Sequence, residues 1–180
     1  MLFIQIKKQI YLKESPRLSQ ANTVFESIAT RQIAFLVADG FAMKGFDTMK
    51  KALEKENAVV KLIAPHGGMV TCDSGMEHKV DASIMTTESV LYDAIYVPGG
   101  EKSIDRLGKN SKSIKFIKEA FKHCKAMAFD DEGEELLKKS AIENSKEDKA
   151  LLLNEKPKAF ISAIAKHRNW KRMEAAAAIA

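Results

Sequence analysis

The spacing of apolar positions along the chain changes several times, and the changes mark out its elements. QIAFLV (32–37) is short, continuous and apolar, the pattern of a strand covered on both faces. Ala38-Asp39-Gly40 follows as a turn. Over 43–56 the period becomes helical: Phe46, Met49 and Leu53 share one side, with Lys44, Lys50, Lys51 and Glu54 outward. AVVKLIA (58–64) is a second buried strand, ended by Pro65, Gly67 and Gly68. MVTCDSGMEHKV (69–80) reads as a small hairpin around Asp73-Ser74-Gly75. DAIYV (93–97) is a third buried strand, closed by Pro98-Gly99-Gly100. A helix over 111–123 puts Ile114, Ile117 and Phe121 inward, capped by Asn110 or Ser111. KAMAF (125–129) and ALLL (150–153) are further strands. A short helix is expected over about 132–139, and a closing helix over 157–168 carries Phe160, Ile161 and Ile164.

Strands alternate with helices, which predicts an α/β domain: a doubly wound, mostly parallel sheet with helices on both faces and a small β-hairpin insertion. Residues 1–31 lack this regularity. FIQIKKQIYLKE alternates weakly and SPRLSQANT has linker composition, so 14–30 reads as an extended surface connector. The expected division is an extension and linker over 1–31, the domain over 32–172, and an Ala-rich tail over 173–180.

Composition adds bounds. In 180 residues, 46% hydrophobic content suffices for one full core. No apolar run reaches the ~18–20 residues that span a bilayer. The opening MLFIQIKK places its apolar stretch before the charge and lacks a small-residue cleavage site, unlike a signal peptide. Two cysteines, Cys72 and Cys124, make no disulfide framework, and a reducing, cytoplasmic setting fits them. The net charge of +5 raises the question of nucleic acid. In KKALEKEN and KFIKEAFKHCK, however, lysines alternate with glutamates, the pattern of a solvated surface rather than a phosphate-binding stripe. Neither a nucleic-acid nor a membrane partner is expected.

In doubly wound sheets ligands sit beyond the carboxyl ends of the strands. The loops to examine are therefore Ala38-Asp39-Gly40, Pro65-His66-Gly67-Gly68, Pro98-Gly99-Gly100-Glu101 and Asp130-Asp131-Glu132-Gly133. The last is where a nucleophile elbow would stand, but it holds no thiol or hydroxyl. Its acids, with Glu134 and Glu135, suit a helix N-terminus; divalent metal binding and catalysis are the other uses of such a cluster. Pro98-Gly99-Gly100 could offer N–H groups to an anion, yet it lacks the lysine and hydroxyl of a phosphate loop. His66, His78, His123 and His167 form no HxxxH pair; His66 alone stands in a strand-end loop. Cys72 could be a reactive thiol or a half-buried side chain. A phosphoreceiver would need an aspartate where the third strand ends in Pro98-Gly99-Gly100.

RQIAFLVADGF, DTMKKALEKENAVVKLIAPHGG, KVDASIMTTESVLYDAIYVPGG, FIKEAFKHCKA and KAFISAIAKHRNW together resemble the C-terminal domain of large-subunit catalases. ESPRLSQANT is similar to the linker that joins that domain to the haem-bearing body. The resemblance runs from about Glu14 to about Arg172. It implies a flavodoxin-like fold in the superfamily of class I glutamine amidotransferases and PfpI-type proteins. Active members carry a cysteine at the elbow, and often an acid after the first strand. Here the elbow position falls at Asp130, beside Asp131, Glu132 and Gly133, and the first-strand loop offers Asp39 and Gly40. The missing cysteine implies a retired site with no catalytic, cofactor-binding or metal-binding residues.

Haem belongs to the body, which this length leaves no room for, and none of Tyr11, Tyr92 and Tyr96 follows an arginine by four residues, as a haem-ligating tyrosinate would. The expected role is structural: stability, oligomerisation or chaperone-like behaviour. The partners implied are a catalase body, a second copy of the chain, or unfolded clients. The alternative is a PfpI-type stress-response hydrolase or deglycase with a non-standard nucleophile, such as Cys72 or Asp130.

Overall fold

A computed structural model describes residues 26–142 and 148–173. Most of the expected connector and nearly all of the Ala-rich tail lie outside the described residues. In chain order the elements are β1 (Gln32–Leu36), α1 (Met43–Lys55), β2 (Val59–Ala64), β3 (Met69–Thr71), β4 (Glu77–Lys79), β5 (Ala82–Ser83), β6 (Ala94–Val97), α2 (Glu101–Lys109), α3 (Ser111–Lys122), β7 (Ala126–Phe129), α4 (Glu134–Lys139), β8 (Leu151–Leu153) and α5 (Pro157–Ala165). Two 3₁₀ turns, Ser89–Leu91 and Asp131–Gly133, precede β6 and α4.

Six strands form one sheet in the order β5-β2-β1-β6-β7-β8, every pair parallel. β3 and β4 pair antiparallel as the expected hairpin, turned at Gly75 with φ +85°. Strands β6 and β7 are buried at every position, because helices cover both sheet faces. One face packs Phe35, Tyr96 and Ala128 against Phe46, Met49 and Leu53 of α1 and Phe160 and Ile164 of α5; the hairpin joins this side through Val70, Cys72 and Val80. The other packs Leu36, Ile95 and Met127 against Ile104 and Leu107 of α2, Phe116 and Ile117 of α3, and Leu136 and Leu137 of α4. Ile28 is buried in the first of these cores, so the residues just before β1 pack with the domain.

The order reverses at β1, between β2 and β6, so the crevice lies beyond the carboxyl ends of these strands. Two helix N-termini have identifiable caps. Asp73 of the hairpin accepts from the first N–H of α1, Met43, at 3.1 Å. Asn110, one of the two expected caps, accepts from Lys112 N at 2.9 Å and Ser113 N at 3.3 Å.

The sequence reading lacks the short edge strand β5, and three further details differ. Residues 101–109 form a helix it did not contain; Ile104 and Leu107 are its apolar pair, too short a pattern to announce nine helical residues. On α3 the buried face is Ser113, Phe116, Ile117 and Ala120, while Ile114 and Phe121 are only partly covered. Phe116 packs against the Tyr92 ring, centroids 5.9 Å apart, which turns that face of the helix inward. Finally, α5 stops at Ala165, and His167 turns left-handed with φ +66°.

Candidate functional site

β7 ends at Phe129, and the chain turns at once into the 3₁₀ turn and α4. Asp130 is extended, with φ −106°, and the left-handed residue of the turn is its neighbour Asp131, φ +46°. The turn is held from three sides. Asp130 N donates to Val97 O at 3.0 Å, Asp131 N to Asn154 Oδ1 at 2.6 Å, and Gly133 N to Asp130 O at 2.8 Å. The sharp strand-to-helix geometry expected of an elbow is therefore present, with carboxylates where a nucleophile would project.

The Asp130 carboxylate is not free. Tyr96, fully buried in β6, donates its hydroxyl to Asp130 Oδ2 at 2.5 Å. Gly45 of α1 lies over this pair: a Cβ there would stand 3.1 Å from the Tyr96 hydroxyl and 3.2 Å from Asp130 Oδ2. Burial raises the Asp130 pKa, the Tyr96 hydrogen bond opposes this, and the Asp131 charge adds to the rise. Burial and the same carboxylate hold the Tyr96 phenol far above its ordinary value.

The neighbouring glycine turn is also occupied. Gly100 N donates to Glu132 Oε2 at 2.9 Å, and this bond lowers the Glu132 pKa. Asp131 and Glu132 together cover Gly99, whose absent Cβ would lie 2.8 Å from Asp131 Cβ. The chain's own carboxylate thus takes the N–H that the sequence offered to an external anion. Gly100 itself is required: φ is +112°, and a Cβ would fall 2.3 Å from Gly40 O.

Beside these groups an open cleft of about 420 Å³ is lined by Lys44, Thr48, Asp130, Asp131, Asn154 and Glu155, among others. Asp39 is turned away from it. Its carboxylate accepts from Thr71 N at 3.0 Å and pairs with Arg106 of α2, which anchors the hairpin and α2 to the first-strand loop. Gly40 N donates to Thr71 O at 2.7 Å in the same junction. Tyr96, Gly45 and Asn154 were not among the site candidates in the sequence. A glycine inside a helical pattern, MKGFDTMKK, was the one available signal, since it weakens the helix unless something packs there.

The remaining candidates are dispersed. His66 is exposed in its turn. His78 packs against the Phe41 and Phe46 rings. Cys72 is buried at the end of the hairpin, its Sγ 3.0 Å from Ser74 Oγ. Burial raises its pKa, but hydrogen bonds from Ser74 and Met76 outweigh this and leave it below the ordinary thiol value. Among the described residues no three His, Cys, Asp or Glu side chains are grouped to hold a metal. Of the tyrosines, Tyr96 donates its hydroxyl to Asp130 and the Tyr92 hydroxyl lies 3.0 Å from Thr87 Oγ1 in the core, while Tyr11 lies outside the described residues. No helix among the described residues is long and apolar enough to cross a membrane.

The likeness to known proteins follows the same lines. Among solved structures, Drosophila melanogaster DJ-1beta superposes with a TM-score of 0.64 over 83% of this chain and 97% of that one, at 16% identity. That agreement concerns the fold. Sequence similarity is closer to catalases. Catalase-2 of Bacillus subtilis is 37% identical over 164 residues, which is 88% of this chain and 23% of that protein. Catalase HPII of Pseudomonas putida is 37% identical over 180 residues, 98% of this chain and 24% of that protein. The chain spans about a quarter of the length of the curated relatives it matches. Residues 29–174 match the family model described as the C-terminal domain found in long catalases. With a match over most of its length, and a flavodoxin-like fold of the DJ-1 and PfpI kind, the chain belongs to the family of C-terminal domains of long catalases.

Proposed function

We propose that this chain is a non-catalytic, cytoplasmic accessory domain that stabilises or helps assemble a haem-bearing catalase body. On this reading it serves peroxide detoxification only through that body. The observation that carries the reading is the state of the elbow. Asp130 is hydrogen-bonded to Tyr96, and the Glu132 carboxylate occupies Gly100 N–H. An acyl-transfer site needs a nucleophile beside a base and vacant donors for a developing oxyanion. Here the nucleophile's place holds carboxylates and the donor is already satisfied.

The test is direct. Purified chain, assayed for peroxide decomposition, scanned for a Soret band, and offered ester, amide and glyoxal substrates, is expected to show none of these activities. Turnover of peroxide accompanied by a Soret band would overturn the proposal. A chaperone-like role adds that the chain at molar excess suppresses aggregation of a heated client without ATP.

A second reading has one observation in its favour. The Cys72 thiol is acidified by its Ser74 and Met76 hydrogen bonds, as a PfpI-type hydrolase with a displaced nucleophile would require. Its burial weighs against reaction with a substrate. Hydrolase or glyoxalase turnover abolished by Cys72→Ser would establish this second reading.

A further inference from the structure

The connection from β5 to β6 crosses its sheet face without the helix that usually covers such a crossover. Residues 84–92 hold a single 3₁₀ turn, Ser89–Leu91. Ile84, Thr87, Ser89 and Tyr92 are buried, while Met85, Val90 and Leu91 are more than half exposed. The backbone is sparsely bonded. Ile84 N donates to Ala64 O at one end, and Leu91 N and Tyr92 N donate to Glu88 O and Ser89 O within the turn. The amides of Thr87, Glu88, Ser89 and Val90 donate to no acceptor among the described residues. Segments with few backbone bonds and much exposed surface are the ones that open without the rest of a fold.

One side chain anchors the middle of this segment. Lys125, 1% exposed, donates its ammonium to Ser89 O and, at 2.6 Å, to Tyr92 O. Both acceptors belong to the connection. The Tyr92 ring also packs on Phe116 of α3, centroids 5.9 Å apart. The Lys115–Glu88 pair, at 3.6 Å with both side chains more than half exposed, adds little. Closure of residues 84–92 therefore keeps the Lys125 amine out of water, and opening returns it.

The charges around Lys125 do not compensate it. No carboxylate pairs with its ammonium among the described residues. Asp93, at the start of β6, is its nearest counter-charge and is shared with Arg31 at 2.8 Å. Arg168, after α5, repels it, and His167 feels the repulsion of Arg168, Arg31 and Lys125 alike. Arg172 donates to Lys125 O but is paired with Asp148. Burial, then Arg168, against Asp93, leaves the closed amine at about 8, below its ordinary 10.5. In the open segment the amine regains the ordinary value. The open form thus binds the proton more tightly. Protonation favours opening fully below about pH 8, and this bias is lost as pH rises toward the ordinary value.

We propose that residues 84–92 form a proton-linked flap, which opens locally over Lys125 and takes up a proton at that amine as it does so. Opening also lifts Tyr92 from Phe116, so a fall in pH enlarges the population in which this part of the core is uncovered. The proposal is independent of the accessory-domain reading, since it concerns the chain alone.

Rapid-quench hydrogen exchange of the full chain between pH 7 and pH 9.5 tests it. Protection is taken relative to an unstructured peptide of the same sequence at each pH, which cancels hydroxide catalysis. The reporters are Leu91 N and Tyr92 N, with Val37 N, bonded to Ile63 O in the sheet, as the marker of global unfolding. At pH 7 the two flap amides are expected to exchange about tenfold or more faster than Val37 N. Their protection should rise about tenfold or more by pH 9.5. In Lys125→Met, with its fold checked by circular dichroism, the flap protection should stay within about twofold across the same range. Flap amides that exchange at the rate of Val37 N would show that the segment opens only with the whole fold, and would overturn the proposal. So would wild-type protection that does not change with pH, a result that needs no variant. A rise that persists in folded Lys125→Met would assign the proton to another group and overturn it as well.

Discussion

Asp130 carries a cost that asparagine would not. Burial raises its pKa above the ordinary 3.8, with the Asp131 charge adding and the Tyr96 hydrogen bond subtracting. Below the unfolded value both states hold the proton and no penalty exists. As pH rises the unfolded chain releases its proton first, and stability falls. Asp130→Asn keeps an acceptor for the Tyr96 hydroxyl without the charge. It is expected to raise stability at pH 7, by about 1 kcal/mol at most once solvent screening is allowed for. The gain should close toward about pH 3.5, near the ordinary carboxylate value, and urea denaturation at the two pH values measures it. Gly100 presents the opposite case, because backbone and packing both demand glycine. Gly100→Ala would set a Cβ 2.3 Å from Gly40 O at φ +112° and should cost about 3 kcal/mol or more. Gly68→Ala, at φ +98° but with nothing within 4 Å, should cost about 1 kcal/mol. The difference in denaturation midpoint between the two variants separates steric conflict from backbone strain.

Among the elements, legibility tracked the length of the apolar pattern. β1, β2, β6 and β7 are runs that need apolar side chains on both faces, and α1 repeats its spacing over three turns, so each was plain in the sequence. Helix α2 repeats its pattern once and vanished among lysines and a glycine. On α3 the apolar residues Ile114, Phe116, Ile117 and Phe121 surround more than one side, so spacing alone allows two rotations. The structure takes the one with Phe116 inside, its ring 5.9 Å from that of Tyr92 in the shared core. Phe116→Ala should therefore cost about 3–5 kcal/mol, and Ile114→Ala about 2 kcal/mol or less, as denaturant titration would record. Equal costs would restore the rotation read from the sequence.

At the scale of the molecule, the amino end of the sheet is closed by charge. Asp148 pairs with Arg172 at 2.5 Å and accepts from Asn169 Nδ2 at 2.7 Å, and Arg172 also donates to Lys125 O at 2.6 Å. Residues after α5 are thereby folded back beneath β7. Burial, with the Arg168 charge, lowers the Lys125 pKa to about 8. Between that value and the ordinary 10.5 the unfolded chain binds more protons than the folded one, so this group makes stability rise with pH across the window. Lys125→Met should flatten the rise when urea denaturation is followed between about pH 8 and pH 10, the upper limit being set by ordinary tyrosine ionisation. A slope unchanged in the variant would assign the pH dependence to other groups.

The sequence by itself determined the strands, the alternating helices, the hairpin and the absence of an elbow thiol, because local burial demands a local spacing and residue identity needs no geometry. The tertiary structure decided what these pieces do to one another. Tyr96 meets Asp130 across 34 positions, Gly100 meets Glu132 across 32, and Lys125 reaches Ser89 across 36. In a parallel sheet such partners come from separate crossover units, so no short-range periodicity encodes them. Closing the sheet alone brought the carboxylates onto the phenol and the glycine turn, and set the lysine under the Ser89–Leu91 turn.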